Sequence, residues 1–307
     1  MPTARTPAGP PRPGTVPPPG AGPSPGAGPP RPDPVLPLRP LTVGEQLDSA
    51  VLLFREHARP LVAVAAGLAV GEQALLHPLR VVAEVEPPAF LPLLDELPAY
   101  WLLLAVGAAT EVVIIALLGN LTGRAATAEL LGAPVSGAGL LRPRGARYPA
   151  TLLVAAIGGA VMFVAALVGP TWLIAFALLG SLAPAVVVDR LGPVRALGRA
   201  VALATRSAAH AGLVRLLGYL VWWILRLGIT LGVVAGLGRL DLLDPDWAMP
   251  LAAAVWAAVN SVAYPLLASL DAVLHVQTRV CTEGLDILVA RARRTGRPLT
   301  DLAVPRR

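Results

Sequence analysis

The stretch Pro149-Ala-Thr-Leu-Leu-Val-Ala-Ala-Ile-Gly-Gly-Ala-Val-Met-Phe-Val-Ala-Ala-Leu-Val-Gly169-Pro170-Thr-Trp-Leu-Ile-Ala-Phe-Ala-Leu-Leu-Gly-Ser-Leu-Ala-Pro-Ala-Val-Val-Val188 runs for 40 residues without a charge. As one helix it would be roughly 60 Å long, about twice the thickness of a bilayer's hydrocarbon core. It therefore reads as two spans, 149–168 and 171–188. Gly169-Pro170 supplies the turn between them, because glycine tolerates unusual φ and proline cannot donate to the preceding turn.

Working outward, four further apolar segments reach spanning length, at about 60–79, 99–118, 213–237 and 247–270. The fold class expected is all-α: a polytopic transmembrane helix bundle with six predicted spans. The composition agrees, since 55% of residues are hydrophobic and 14% charged, too apolar a balance for an ordinary water-facing surface. All 25 basic residues are arginine. They concentrate at the N-terminus, between the second and third spans, after the fourth and after the sixth. The segments after the first and fifth spans are acid-rich, with Glu84, Glu86, Asp95 and Glu96 in one and Asp241, Asp244 and Asp246 in the other. Arginine bias sets orientation, so both termini are expected in the cytoplasm. The absence of lysine beside abundant alanine, glycine, proline and valine is the bias of a GC-rich bacterial genome, and the membrane expected is a bacterial plasma membrane. The net charge of +6 is absorbed by this pattern, and no nucleic-acid partner is inferred.

Residues 1–40 hold 16 prolines and 6 glycines and are expected to be a disordered cytoplasmic tail, partly polyproline II. Order is expected over 41–296, with 297–307 a second disordered tail. Thr42-Val43-Gly44-Glu45 matches a capping box, and Val43, Leu47, Ala50, Val51 and Phe54 recur at helical spacing. This is either an amphipathic helix on the inner leaflet or a lead-in turn. A second amphipathic helix follows Gly192-Pro193, where Arg195, Arg199, Arg206 and His210 share one face. It either lies in the cytoplasmic interface with its arginines toward anionic headgroups or packs on protein.

Catalytic and cofactor signatures are sparse. There is no G-x-S-x-G or H-E-x-x-H motif, and without lysine neither a P-loop nor a Schiff base can form. The four histidines lack metal-ligand spacing, and Cys281, the single cysteine, reads as a packing residue. No catalytic residue, metal or cofactor is assigned. Glu72, Glu111 and Arg226 fall near mid-span, where charge is costly unless paired or wet. An Arg226–Glu111 ion pair with Glu72 nearby is expected, either fixing helix packing or lining a proton or substrate path. Asp271, His275, Arg279 and Glu283 repeat every four residues on the sixth helix, with Asp286 next. They could form a docking face for another membrane protein or simply solvate a helix leaving the bilayer. That helix is expected to run unbroken to Arg294, ending at Gly296.

Three segments together resemble the membrane domain named after glycerophosphoryl diester phosphodiesterases. They are Arg39-Pro-Leu-Thr-Val-Gly-Glu-Gln-Leu-Asp48 with Leu53-Phe-Arg-Glu-His57; Pro184-Ala-Val-Val-Val-Asp189 with Gly192-Pro-Val-Arg-Ala-Leu197; and Arg279-Val-Cys-Thr-Glu-Gly-Leu-Asp286. Gln277, Cys281 and Ala200 depart from the family pattern. The resemblance implies a helical membrane domain, not the phosphodiesterase activity, which belongs to members fused to a catalytic barrel. The leading expectation is a non-catalytic integral membrane scaffold or accessory subunit. A small permease using the intramembrane charges comes second and an inner-leaflet lipid hydrolase third.

Overall fold

A computed structural model describes residues 35–85, 87, 94–133, 135–143, 145–206 and 210–296. The tail at 297–307 and most of the N-terminal tail lie outside these residues. Residues 35–40 do not behave as free tail, because Leu36 is buried in the main apolar core and Leu38 packs beside Val276 and Val280.

Every regular element among the described residues is helical: α1 (Val43–Glu56), α2 (Ala58–Val82), a 3-10 turn (Leu94–Glu96), α3 (Leu97–Leu131), α4 (Gly137–Leu141), α5 (Tyr148–Leu167), α6 (Thr171–Leu179), α7 (Leu182–Val187), α8 (Pro193–Arg206), α9 (His210–Arg239), α10 (Pro245–Glu283) and α11 (Leu285–Thr295). Five of them, α2, α3, α5, α9 and α10, are long and apolar enough to cross a membrane. The capping box at α1 is formed, with Thr42 Oγ1 accepting from the Glu45 amide and Glu45 accepting from the Thr42 amide at 2.8 Å.

The sixth apolar segment, Thr171–Val187, is divided into α6 and α7 instead of forming one helix. Pro184 has no N–H to give the carbonyl of Gly180, so the ladder breaks there. Gly180 is also where side chains crowd in: a Cβ would lie 2.7 Å from Arg215 Cδ and 2.8 Å from Asp271 Oδ1. The Arg215 guanidinium donates to the carbonyl of Phe176 in the last turn of α6 and stacks over its ring, supplying inside the bundle what water would supply at a helix end outside it. The broken segment nevertheless joins the two ends of the bundle. Trp101 donates to Leu167 O at one end, beside the entry to α6. Asp189, just past α7, meets Arg279 at the other.

The centre of the bundle is α3, half of whose most apolar window is buried against 17% for α9. Its neighbours approach closely through small residues. Cβ atoms at Gly119, Gly158 and Gly159 would fall within 3.0 Å of Ala183, Leu182 and Val113 respectively, the close contact that holds helices together where lipid offers no hydrophobic driving force. Thr122 Oγ1 donates to Ala268 O at 2.9 Å, tying α3 to α10. Leu152, Leu153, Val164, Leu213 and Ile224 remain exposed on the outside, as lipid-facing residues would.

Two further expectations change. The sixth span does not continue unbroken to Arg294, because Gly284 takes a left-handed conformation (φ 62°) and separates α10 from α11; the end at Gly296 is as expected. Cys281 is exposed and not a packing residue.

Candidate functional site

Glu72, Glu111 and Arg226 sit near the middle of α2, α3 and α9, and the bundle brings all three together. Arg226 Nη1 lies 2.5 Å from Glu111 Oε1 and 3.2 Å from Asn260 Oδ1 of α10. Seven residues before Arg226, on the same face, Tyr219 donates to Glu111 Oε2 at 2.6 Å. Asn260 also donates to Glu72 Oε2 at 3.1 Å, and Tyr264, one turn further on, donates to both oxygens of Glu72 at 2.7 and 2.9 Å. Thr110 adds a bond to Glu72 Oε1 at 3.2 Å. Glu72-Gln73, the polar interruption of the first span, is thus turned inward, and α2 runs through it without a break.

These groups form part of the wall of a cavity of about 440 Å³, within the range of about 300–1,000 Å³ usual for small-molecule sites. The rest of the wall is mainly apolar and aromatic, including Leu103, Leu104, Tyr219, Leu220, Trp223 and Trp256. The cavity extends from the charged middle of the bundle to Val85, Tyr100 and Trp101, at the end that carries the acidic 83–98 segment. Arg80 joins it there. This arginine reads from sequence as a loop charge, yet it belongs to α2 and is 5% exposed. Its spacing of seven from Gln73, two turns on one face, is the signal for it: Arg80 Nη2 donates to Gln73 Oε1 at 2.6 Å.

A second buried cluster gathers much of the proposed docking stripe. Asp189 Oδ1 accepts from Arg279 at 2.7 Å and lies 3.2 Å from His275 Nε2, while Asp189 Oδ2 accepts from Arg199 at 2.9 Å. Glu283 closes the cluster with Arg199 at 2.5 Å and Arg279 at 3.1 Å. Asp271, His275 and Arg279 are all at most 4% exposed, so they present no docking face. Their four-residue spacing points them at the bundle core, where Asp271 pairs with Arg215 at 2.7 Å. Glu283 and Asp286 are only half-buried. Burial alone would raise the Asp189 carboxyl, but His275, Arg279 and Arg199 outweigh it and hold the group at about 2.

The basic face of α8 is likewise divided. Arg195 and Arg206 are exposed, as is His210, which opens α9. Arg199 lies beside the buried stripe of Ala196, Ala200 and Leu203 and is drawn inward to Asp189 instead of toward headgroups. Among the described residues no group of three His, Cys, Asp or Glu side chains could hold a metal. No protein-family model, curated protein or solved structure matches the chain.

Proposed function

We propose that this chain is a multi-pass plasma-membrane protein that binds a small ligand inside its helix bundle and passes it along or across the membrane, as a small permease does. The observation that carries the reading is the coincidence of the Glu72–Asn260–Arg226–Glu111 network with the wall of a ligand-sized cavity. A pair that served packing alone would need no space beside it. The scaffold reading rested on absent catalytic motifs, the amphipathic helices and the extended sixth helix, and on that helix the burial of Asp271, His275 and Arg279 leaves these three turned into the bundle. Arginine distribution favours cytoplasmic termini, and so a cavity reached from the outer end. Kinship with the phosphodiesterase-associated membrane domain is supported by the meeting of its second and third motifs, through Asp189, Arg279 and Glu283.

Gly107 lies on the cavity wall with only Leu76 Cδ1, at 3.9 Å, near the position of a Cβ. A phenylalanine there would project into the space with little strain on the bundle. Native mass spectrometry of protein released from lipid nanodiscs should show a non-protein adduct on the wild type that Gly107→Phe loses. The same adducts on both proteins, or none on either, would contradict the reading.

A further inference from the structure

Resting on that reading, we infer that the ligand is an amphiphile with an anionic headgroup and a single apolar chain, held by Arg80 at the mouth of the cavity. The other charged groups of the wall are already engaged. Both oxygens of Glu72 accept from Tyr264 and its neighbours, and those of Glu111 accept from Arg226 and Tyr219. Arg226 has Glu111 and Asn260 as acceptors, and its Nε is enclosed against Trp256, 4.7 Å from the guanidinium carbon to the ring centre. Arg80 differs. Among the described residues its hydrogen-bond acceptor is the neutral Gln73 Oε1, its guanidinium carbon lies 5.7 Å from the Trp256 ring centre, no carboxylate lies within ion-pair distance of it, and it lines the cavity. A buried guanidinium without a counter-ion is costly, and an anionic headgroup would supply both the charge and the fork-shaped set of acceptors that arginine matches.

The remaining wall selects the tail. Below Arg80 it is lined by Leu76, Leu103, Gly107, Leu220 and Leu227. The cavity is flanked by α3 and α9, which do not pack extensively on one another. Leu104, Leu220 and Trp223, which line this side, are 43–45% exposed. A chain already dissolved in the lipid can therefore enter sideways while its headgroup stays at the level of Tyr100 and Trp101, where headgroups and aromatic belts coincide.

Four tryptophans, at 101, 172, 223 and 256, border the cavity, so occupancy can be read directly. In phosphatidylcholine nanodiscs, 9,10-dibromostearate should quench tryptophan fluorescence saturably, and unbrominated stearate should compete. The brominated methyl ester and the matching brominated alkylamine should quench only by unspecific partition. Arg80→Gln should weaken apparent affinity for the acid about tenfold or more, the loss expected for charge-assisted hydrogen bonds, while Arg80→Lys retains part of it. Equal quenching by acid, ester and amine on the wild type would overturn the assignment whether or not Arg80→Gln folds. Absence of saturable quenching, with the Gly107→Phe-sensitive adduct still present, would remove the anionic amphiphile and leave the cavity reading standing. Loss of both would remove both.

Discussion

Asp189 shows how strongly one residue can be committed to the fold. It is fully buried and faces Arg199, Arg279 and His275, with Glu283 completing the group. Its carboxyl is held at about 2 against an ordinary 3.8. A depressed folded-state value means the stabilisation is complete above the unfolded value and is lost as pH falls through the folded one, here between about pH 4 and pH 2. The difference corresponds to about 2 kcal/mol. Thermal melts in detergent should therefore drop across that window in the wild type. Asp189→Asn should melt lower at pH 7, because the buried Arg279 and the half-buried Arg199 lose a counter-ion, and should lack this part of the acid drop. An identical acid profile in the two proteins would assign the lability elsewhere. At this scale the sequence reading was uneven. An intramembrane charge must pair or meet water, so Arg226 and Glu111 could be matched from composition and span position alone. Arg215 and Arg80 could not, because each falls at the end of an apolar stretch and reads as a boundary charge. The stripe at Asp271, His275 and Arg279 misleads for a related reason: four-residue spacing fixes a shared face, but the same face can meet water, a partner or the core.

Among the elements, α3 makes the sharpest demand on side-chain size. A Cβ on Gly119 would sit 2.7 Å from the Cβ of Ala183, and neither atom belongs to a flexible side chain that could swing away. Gly119→Ala should therefore force α3 and α7 apart, at a cost of about 1–3 kcal/mol. Gly67→Ala, where nothing lies within 4 Å, should be neutral or stabilising by up to about 1 kcal/mol, as expected for alanine replacing glycine in a helix. Melting curves of the two variants by fluorescence-detected size exclusion check the contrast, and equal behaviour would mean that α3 and α7 are not in close contact. Span positions were readable because uncharged length is a direct proxy for a crossing, and the expected limits lie inside or within a residue or two of the helices found. Internal breaks were harder to read. Segment 171–188 is apolar on every side, so no periodicity marks its interruption. The signal was Gly180 four residues before Pro184, a proline whose missing N–H opens the ladder. Gly284, by contrast, is a plain helix-ending residue inside a pattern that otherwise reads as continuous.

At the scale of the whole molecule, the five long helices and the broken α6–α7 segment enclose three sets of buried charge. One joins Glu72, Glu111 and Arg226 beside a cavity, one joins Arg215 to Asp271 at the helix break, and one gathers around Asp189 where α7, α8 and α10 meet. Among the described residues each arginine that enters the bundle has an acidic ion-pair partner except Arg80, Arg124 and Arg147, and of these three only Arg80 borders the cavity. Whether the bundle crosses the membrane six times depends on the broken segment, which spans from the Trp101 end to the Arg279 end although neither of its pieces is long enough to cross alone. The single cysteine provides a reporter, since Cys281 is exposed at the end of α10 and Asp95 lies in the exposed turn at the opposite end of the bundle. Labelling with a membrane-impermeant maleimide in intact cells and after permeabilisation, using the wild type and Asp95→Cys in a Cys281→Ser background, decides the matter. Six crossings predict position 95 labelled in intact cells and Cys281 only after permeabilisation. Labelling of both positions from the same side would mean that α6–α7 dips into the bundle and returns, leaving five crossings and contradicting the topology described.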